Sequence, residues 1–249
     1  MTVPAAVDHT IGDIHVEIHG GGRPVLLIHG NSGDLHYFDR NVPTFAAHRR
    51  VVAMDCRGQG RSARGTGPLT IARMAEDAAD VIRALADHEE TGFDVVGFSD
   101  GANVAMTLAV RHPELVRSLV LNSGNIAVNG MRWSLRWKLR LADGFLRVKY
   151  RELGLLTHEH ELIRLMLDQP GITAADLGRI TVPTLVLAGS RDLIRPAHTR
   201  MIARLIRGAQ RRVIRGGTHF VMRDKPEIAT MMVEAFLETG RAPMAYIPA

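Results

Sequence analysis

The chain has almost no cysteine and no long hydrophobic run. Its single cysteine, Cys56, has no second thiol with which to close an internal disulfide, so nothing points to an oxidising compartment. No stretch approaches the roughly 18 apolar residues that would suggest a membrane span. Near the N-terminus Asp8, His9, Asp13 and Glu17 interrupt every apolar run, and no signal peptide is expected. Internal repeats and low-complexity segments are also missing. Together with a composition near the globular average, this excludes a collagen-like, disordered or disulfide-scaffold chain and leads us to expect a cytoplasmic protein. What is present is 249 residues, 46% apolar and 23% charged. That is enough for one domain with a large core, over residues 1–249, carrying an insertion.

The formal net charge of +5 is concentrated in one place. Residues 132–151 carry Arg132, Arg136, Lys138, Arg140, Arg147, Lys149 and Arg151 against Asp143 alone. The rest of the chain is therefore close to neutral, and no nucleic-acid partner is expected.

Short β-branched runs at residues 25–28, 51–54, 94–96, 119–121 and 184–187 alternate with longer helical patterns, which predicts an α/β fold with a mainly parallel sheet. Ile71, Met74, Ala75, Ala78, Val81, Ile82 and Leu85 recur on one helical face with Thr70 as N-cap, a crossover helix between parallel strands. Gly20, Gly21 and Gly22 fit a turn from an antiparallel strand at residues 14–18. The strand signal vanishes from 125 to about 176, where both tryptophans occur, so this stretch reads as a helical cap. There Trp133, Trp137, Leu141 and Phe145 make one stripe and Arg132, Arg136 and Arg140 another. A lid helix that buries the first stripe and solvates the second explains this pattern, and so does a basic amphipathic helix on an anionic membrane.

The strongest local signal is Gly97-Phe98-Ser99-Asp100-Gly101, between a strand and an alanine-rich helical run. This is the G-x-S-x-G nucleophile elbow in its required setting. A serine hydroxyl is a poor nucleophile unless a histidine takes its proton and a carboxylate orients that histidine. Asp192, in the turn after residues 184–187, and His219, in Gly216-Gly217-Thr218-His219-Phe220, follow in the order Ser, Asp, His. Residues 122–125 (Asn, Ser, Gly, Asn) offer no carboxylate one strand earlier, which strengthens Asp192. His48, His88, His112, His158, His160 and His198 read as solvated. An oxyanion needs preorganised N–H donors, each worth roughly 2.7 to 4 kcal/mol. The backbone N–H of Asp100 is one, and the loop His29-Gly30-Asn31-Ser32-Gly33 supplies the other from Asn31, with Ser32 as fallback. His29 reads as a structural brace of that loop.

These motifs, with Asp55-Cys56-Arg57-Gly58-Gln59-Gly60-Arg61-Ser62 matching an Asp-x-Arg-Gly-x-Gly-x-Ser turn, resemble the α/β-hydrolases over about residues 12–238. The Phe-Ser-Asp-Gly form of the elbow and the short insertion look most like small carboxylesterases of the biphenyl-hydrolase-like (valacyclovir hydrolase) type. Ala102 departs from that pattern, since a third glycine is common there. The resemblance implies ester or amide hydrolysis of a small-molecule substrate without a cofactor.

Other patterns fail. Gly58-Gln59-Gly60 lacks the third glycine of a dinucleotide fingerprint, Gly20 to Gly22 lack a phosphate-loop lysine, and His158-Glu159 lacks the second histidine of a zinc protease. Cys56 reads as inert, and no metal site is expected. Carbon–carbon bond hydrolysis, perhydrolysis, a weakly catalytic binding member of the fold and a lipid-surface lipase all remain compatible with the same three residues. Trp133 and Trp137 are expected to roof the substrate pocket. The Asp100 carboxylate either turns away, satisfied by Arg132 or Arg136, or faces the pocket and binds a cationic substrate group such as an α-ammonium.

Overall fold

The computed structural model describes residues 6–87, 92–150, 157–168 and 171–244. Eight strands in these residues form one sheet: β1 (Val7–Ile11), β2 (Ile14–His19), β3 (Arg23–Ile28), β4 (Arg49–Met54), β5 (Phe93–Phe98), β6 (Val116–Asn122), β7 (Thr184–Arg191) and β8 (Gln210–Thr218). Their order across the sheet is β1-β2-β4-β3-β5-β6-β7-β8. Strands β4, β3, β5, β6, β7 and β8 are mutually parallel, and β1 and β2 pair antiparallel at one edge. The expected α/β fold with a mostly parallel sheet is borne out.

Side-chain alternation splits the core in two. Leu26, Ile28, Val95, Leu119 and Leu121 point to one face, where they meet helices α2 (Ile71–Leu85), α3 (Asp100–Arg111) and α7 (Pro196–Leu205). Val25, Leu27, Val96, Val120 and Leu185 point to the other, against α1 (Val42–Ala46) and α9 (Pro226–Thr239). Thr70 caps α2 by accepting from the Arg73 N–H at 3.1 Å. Between β6 and β7 lie α4 (Trp133–Tyr150), α5 (His158–Leu167) and the short α6 (Ala174–Leu177), and α8 (Val221–Asp224) follows β8.

The sequence pattern missed β1 because its Val-Asp-His-Thr-Ile run is mostly exposed and shows no apolar alternation. It also stopped β5 at Val96, whereas pairing with β6 continues through Gly97 and Phe98. Backbone hydrogen bonding carries the strand on through a glycine that sequence reasoning assigned to the turn.

One ionic cluster fastens the end of the sheet opposite the site. Arg49 is fully buried and donates to Asp94 at 3.0 Å and to Glu234 of α9 at 2.9 Å. Asp94 also accepts from Arg117 at 2.8 Å and from the Ser118 hydroxyl at 2.6 Å. Breaking such a pair leaves a buried charge short of partners. Asp94→Ala is expected to lower unfolding free energy by about 3 to 5 kcal/mol in urea melts. A loss below about 1 kcal/mol would show that the cluster does not hold the sheet.

Candidate active site

Parallel strands gather their C-terminal ends on one sheet edge, where the loops that follow them converge. Ser99 directly follows β5, Ser123 follows β6, Asp192 follows β7 and His219 follows β8. Ser99 takes φ 53° and ψ −117° as the N-cap of α3. Among the described residues only three non-glycines have φ in the left-handed region, Ser32, Ser99 and Ser123. All three lie at this edge, the clustering expected where strain is part of a site. The flanking glycines allow the turn: a Cβ on Gly97 would collide with the Gly101 backbone, and one on Gly101 with the carbonyl of Ile28.

The three residues singled out by order meet in space. Nε2 of His219 is 3.0 Å from Oγ of Ser99, and Nδ1 is 2.7 Å from Oδ1 of Asp192. A carboxylate only accepts, so Nδ1 carries the proton and Nε2 is left to accept from the Ser99 hydroxyl. Asp192 is buried and further held by the Ile194 N–H at 2.9 Å and the Ser123 hydroxyl at 2.6 Å.

The loop after β3 faces this group. Ser32 N–H is engaged by Gln59 Oε1 at 2.6 Å, so the fallback oxyanion donor is occupied. The N–H groups of Asn31 and Asp100 have no acceptor among the described residues. His29 is fully buried. Its Nδ1–H donates to the Gly30 carbonyl at 2.7 Å, its Nε2 accepts from the Cys56 N–H at 2.9 Å, and burial holds its pKa below the usual range. Burial pushes the Cys56 thiol above its usual range, leaving it unreactive.

Asp100 is buried, and its partners differ from those expected. Its carboxylate accepts from Nδ2 of Asn31 and Nδ2 of Asn103, each at 3.0 Å, and not from Arg132 or Arg136. Arg132 instead donates Nε–H to the main-chain carbonyl of Asp192 at 2.7 Å. The Asn31 amide also donates to the carbonyl of Leu162 in α5 at 3.0 Å, which ties the loop to the inserted helices.

A cavity of about 160 Å³ opens above Ser99, lined by Asn31, Phe98, Asp100, Asn125, Met131, Leu135, Met166, Leu193, Ile194, His219 and Phe220. Trp133 and Trp137 are not in this lining. They are 73% and 58% exposed, and Leu135 and Met166 occupy the place expected for them. A larger depression of about 870 Å³ between residues 64–72 and α5 shares no lining residue with the Ser99 cavity. Its charges are paired, Arg64 with Glu161 and Arg164 with Asp168 inside the lining and Arg147 with Asp143 beyond it.

A profile of the alpha/beta hydrolase fold family matches residues 23–151, slightly more than half of the chain. The chain belongs to the alpha/beta hydrolase fold family. It is 30% identical to a 2-hydroxymuconate semialdehyde hydrolase of Pseudomonas putida, over 90% of each chain. It is 28% identical to a protein of Azorhizobium caulinodans named as a carbamate hydrolase, over 90% of this chain and 94% of the relative. The crystal structure of a hydrolase from Pseudomonas aeruginosa superposes with a TM-score of 0.74 at 25% identity, covering 94% of this chain and 98% of that one.

Within this hydrolase, several site residues escaped sequence reasoning. In the sequence Ser123 stands out only as not being a carboxylate, and Asn103 and Gln59 carry no signal of their own. Gln59 reaches the Asn31 loop because Asp55 folds its own turn back, accepting from Leu35 N–H and Arg61 N–H, each at 2.8 Å. Ala102 departs from the family's glycine, and Gly124 compensates: a Cβ there would lie 2.9 Å from the Ala102 methyl. Of the histidines expected to be solvated, His160 and His198 are buried, bound to Asp143 and to the Ile126 N–H, and His88 lies outside the described residues.

Burial raises the Asp100 pKa against the lowering effect of its two amide donors. The folded state therefore holds this proton more tightly than the unfolded chain does. The stability it contributes is present at low pH and is lost as pH rises through the folded midpoint. Carboxyl ¹³C NMR should place that midpoint above the ~3.9 of an ordinary aspartate, and a value at or below it would show that the amide bonds outweigh burial.

Proposed function

We propose that this hydrolase cleaves carboxylic esters of small molecules through an acyl-enzyme on Ser99. The carrying observation is the continuous chain Ser99 Oγ to His219 Nε2 at 3.0 Å and His219 Nδ1 to Asp192 at 2.7 Å. His219 takes the hydroxyl proton as Ser99 Oγ attacks the ester carbon, and Asp192 stabilises the imidazolium that results. The oxyanion is received by the N–H groups of Asn31 and Asp100. The imidazolium then protonates the departing alkoxide, and water enters by the same route in reverse to release the acid and restore Ser99.

The volume of the cavity and its Met131, Leu135, Met166, Leu193 and Ile194 lining support a short, uncharged group beside the scissile bond. We assign the Asp100 side chain the role of a brace. It clamps Asn31 to Asn103, fixing the loop that presents the Asn31 N–H, and two neutral amides already satisfy it.

Ser99→Ala is expected to lower kcat by about 10⁴- to 10⁶-fold with an unchanged melt, His219→Ala by a similar factor and Asp192→Asn by less. A fluorophosphonate should label Ser99 in the wild type. Folded protein that resists the label, or Ser99→Ala with wild-type turnover, would overturn the assignment. Labelled protein that turns over no p-nitrophenyl ester would direct attention to carbon–carbon hydrolysis or perhydrolysis on the same residues.

For Asp100→Asn, the brace predicts a similar kcat loss toward neutral esters and α-amino esters. A KM rise of roughly tenfold confined to α-amino esters would instead make Asp100 a receptor for the substrate ammonium, since one charge-assisted bond is worth about 1.5 to 3 kcal/mol.

A further inference from the structure

Helix α4 carries two apolar faces, and only one is used by the fold. Leu139 and Leu146 are buried, and Leu139 packs with Met131 and Ile194, with Leu135 against them. On the opposite side Trp133, Trp137, Leu141, Phe145 and Val148 follow at steps of four, four, four and three residues, which places them on a single strip. They are 73%, 58%, 57%, 65% and 77% exposed, and they make up five of the nine large apolar side chains exposed among the described residues. An unbroken apolar strip of this length on a water-facing surface marks an interaction site.

The charges beside the strip indicate what covers it. Advancing 100° per residue, Lys138 falls on one flank of the strip and Arg140 and Arg147 on the other, and all three are exposed. Arg147 leans on Asp143 at 3.0 Å, while Lys138 and Arg140 border the strip on its two sides, with the exposed Lys149 next to Lys138. Asp143 is the one acidic residue in α4. It sits toward the protein, where His160 also holds it at 2.8 Å. The strip is a convex ridge on one helix and offers no groove for a peptide. A twofold pairing of two such ridges would set cationic flank against cationic flank.

We propose that the outer face of α4 is a docking surface for an anionic membrane, with the helix lying in the plane of the interface. The apolar strip enters the acyl boundary, while Lys138 and Arg140 reach sideways to lipid phosphates, their alkyl stems covering the edge of the strip. The contact is peripheral, and no helix of the described residues is long and apolar enough to cross a membrane. It does not depend on the reaction proposed for Ser99.

Both tryptophans of the chain lie on this strip, so intrinsic fluorescence of the whole protein reads the contact directly. With phosphatidylcholine vesicles containing phosphatidylglycerol, the emission should shift to the blue and the protein should float with the lipid. Pure phosphatidylcholine should bind it far less, and high salt should weaken the anionic binding. Lys138→Gln and Arg140→Gln should each reduce partitioning about fivefold. Leu141→Asp with Phe145→Asp keeps both reporters and should abolish flotation with no loss of thermal stability, because both side chains are exposed. The proposal is overturned if folded wild-type protein shows neither shift nor flotation on anionic vesicles. It is equally overturned if the Asp variant floats as the wild type does, or if light scattering finds a dimer that the Asp variant abolishes, which would make a second copy the occupant.

Discussion

The arrangement of the sheet edge depends on one close backbone approach. Helix α3 begins hard against the end of β5, with Gly101 pressed on the Ile28 carbonyl and Gly97 on Gly101. No side chain fits at either position, and the residue between them is driven into the left-handed region at φ 53°. The strain lifts the Ser99 hydroxyl out of the sheet, and the first N–H of α3, that of Asp100, is left without an acceptor among the described residues. One constraint thus sets both a hydroxyl and a donor, and the loop after β3 is brought to them because Ile28 and His29 form the wall that Gly101 touches. Packing of this kind is rigid, so it holds geometry that a flexible loop would average away.

Around that turn the site is stabilised by saturating its acceptors. Asp192 receives the His219 ring, the Ile194 N–H and the Ser123 hydroxyl. A buried carboxylate with so many donors loses little by being out of water, and its position is fixed from three directions. Ser123 occupies the end of β6, between the strands that carry Ser99 and Asp192, and adopts φ 59° to turn its hydroxyl toward the acid. Asp100 is handled in the same way by Asn31 and Asn103, with Asn125 N–H in turn holding the Asn103 amide at 2.9 Å. The inserted segment enters this network at two points, the Leu162 carbonyl of α5, which accepts from Asn31, and Arg132, just before α4, on the Asp192 carbonyl. It is therefore bonded to both sides of the site.

Much of this was legible in the sequence, for identifiable reasons. The central strands announce themselves because burial on both faces demands β-branched runs, and α2 does so because one face of it packs on the sheet. Ser99, Asp192 and His219 were placed by a motif and an order. The supporting shell was not legible, because Ser123, Asn103 and Gln59 are ordinary polar residues that bond to Asp192, Asn125 and Ser32 across 22 to 69 positions of chain. The choice of partner for Asp100 failed similarly: a nearby arginine was the chemically obvious counter-ion, yet the fold spends Arg132 on a carbonyl.

Helix α4 shows why periodicity alone could not settle the cap. Its wheel holds two apolar arcs, one of leucines and one led by tryptophans, and hydrophobicity ranks the aromatic arc at least as suitable for burial. The fold chooses the leucines because Leu135 and Leu139 stand on the same side as Met131 and Ile194, next to the Ser99 cavity, where branched aliphatic side chains fill a small space. Indole rings are amphipathic and sit well where an apolar layer meets water. A helix with leucines toward the protein, tryptophans away from it and cations on both borders is thus sorted by chemistry on every side. The surplus positive charge of the chain is then local to this helix and the residues at its ends, and it borders five of the nine large apolar side chains left exposed among the described residues.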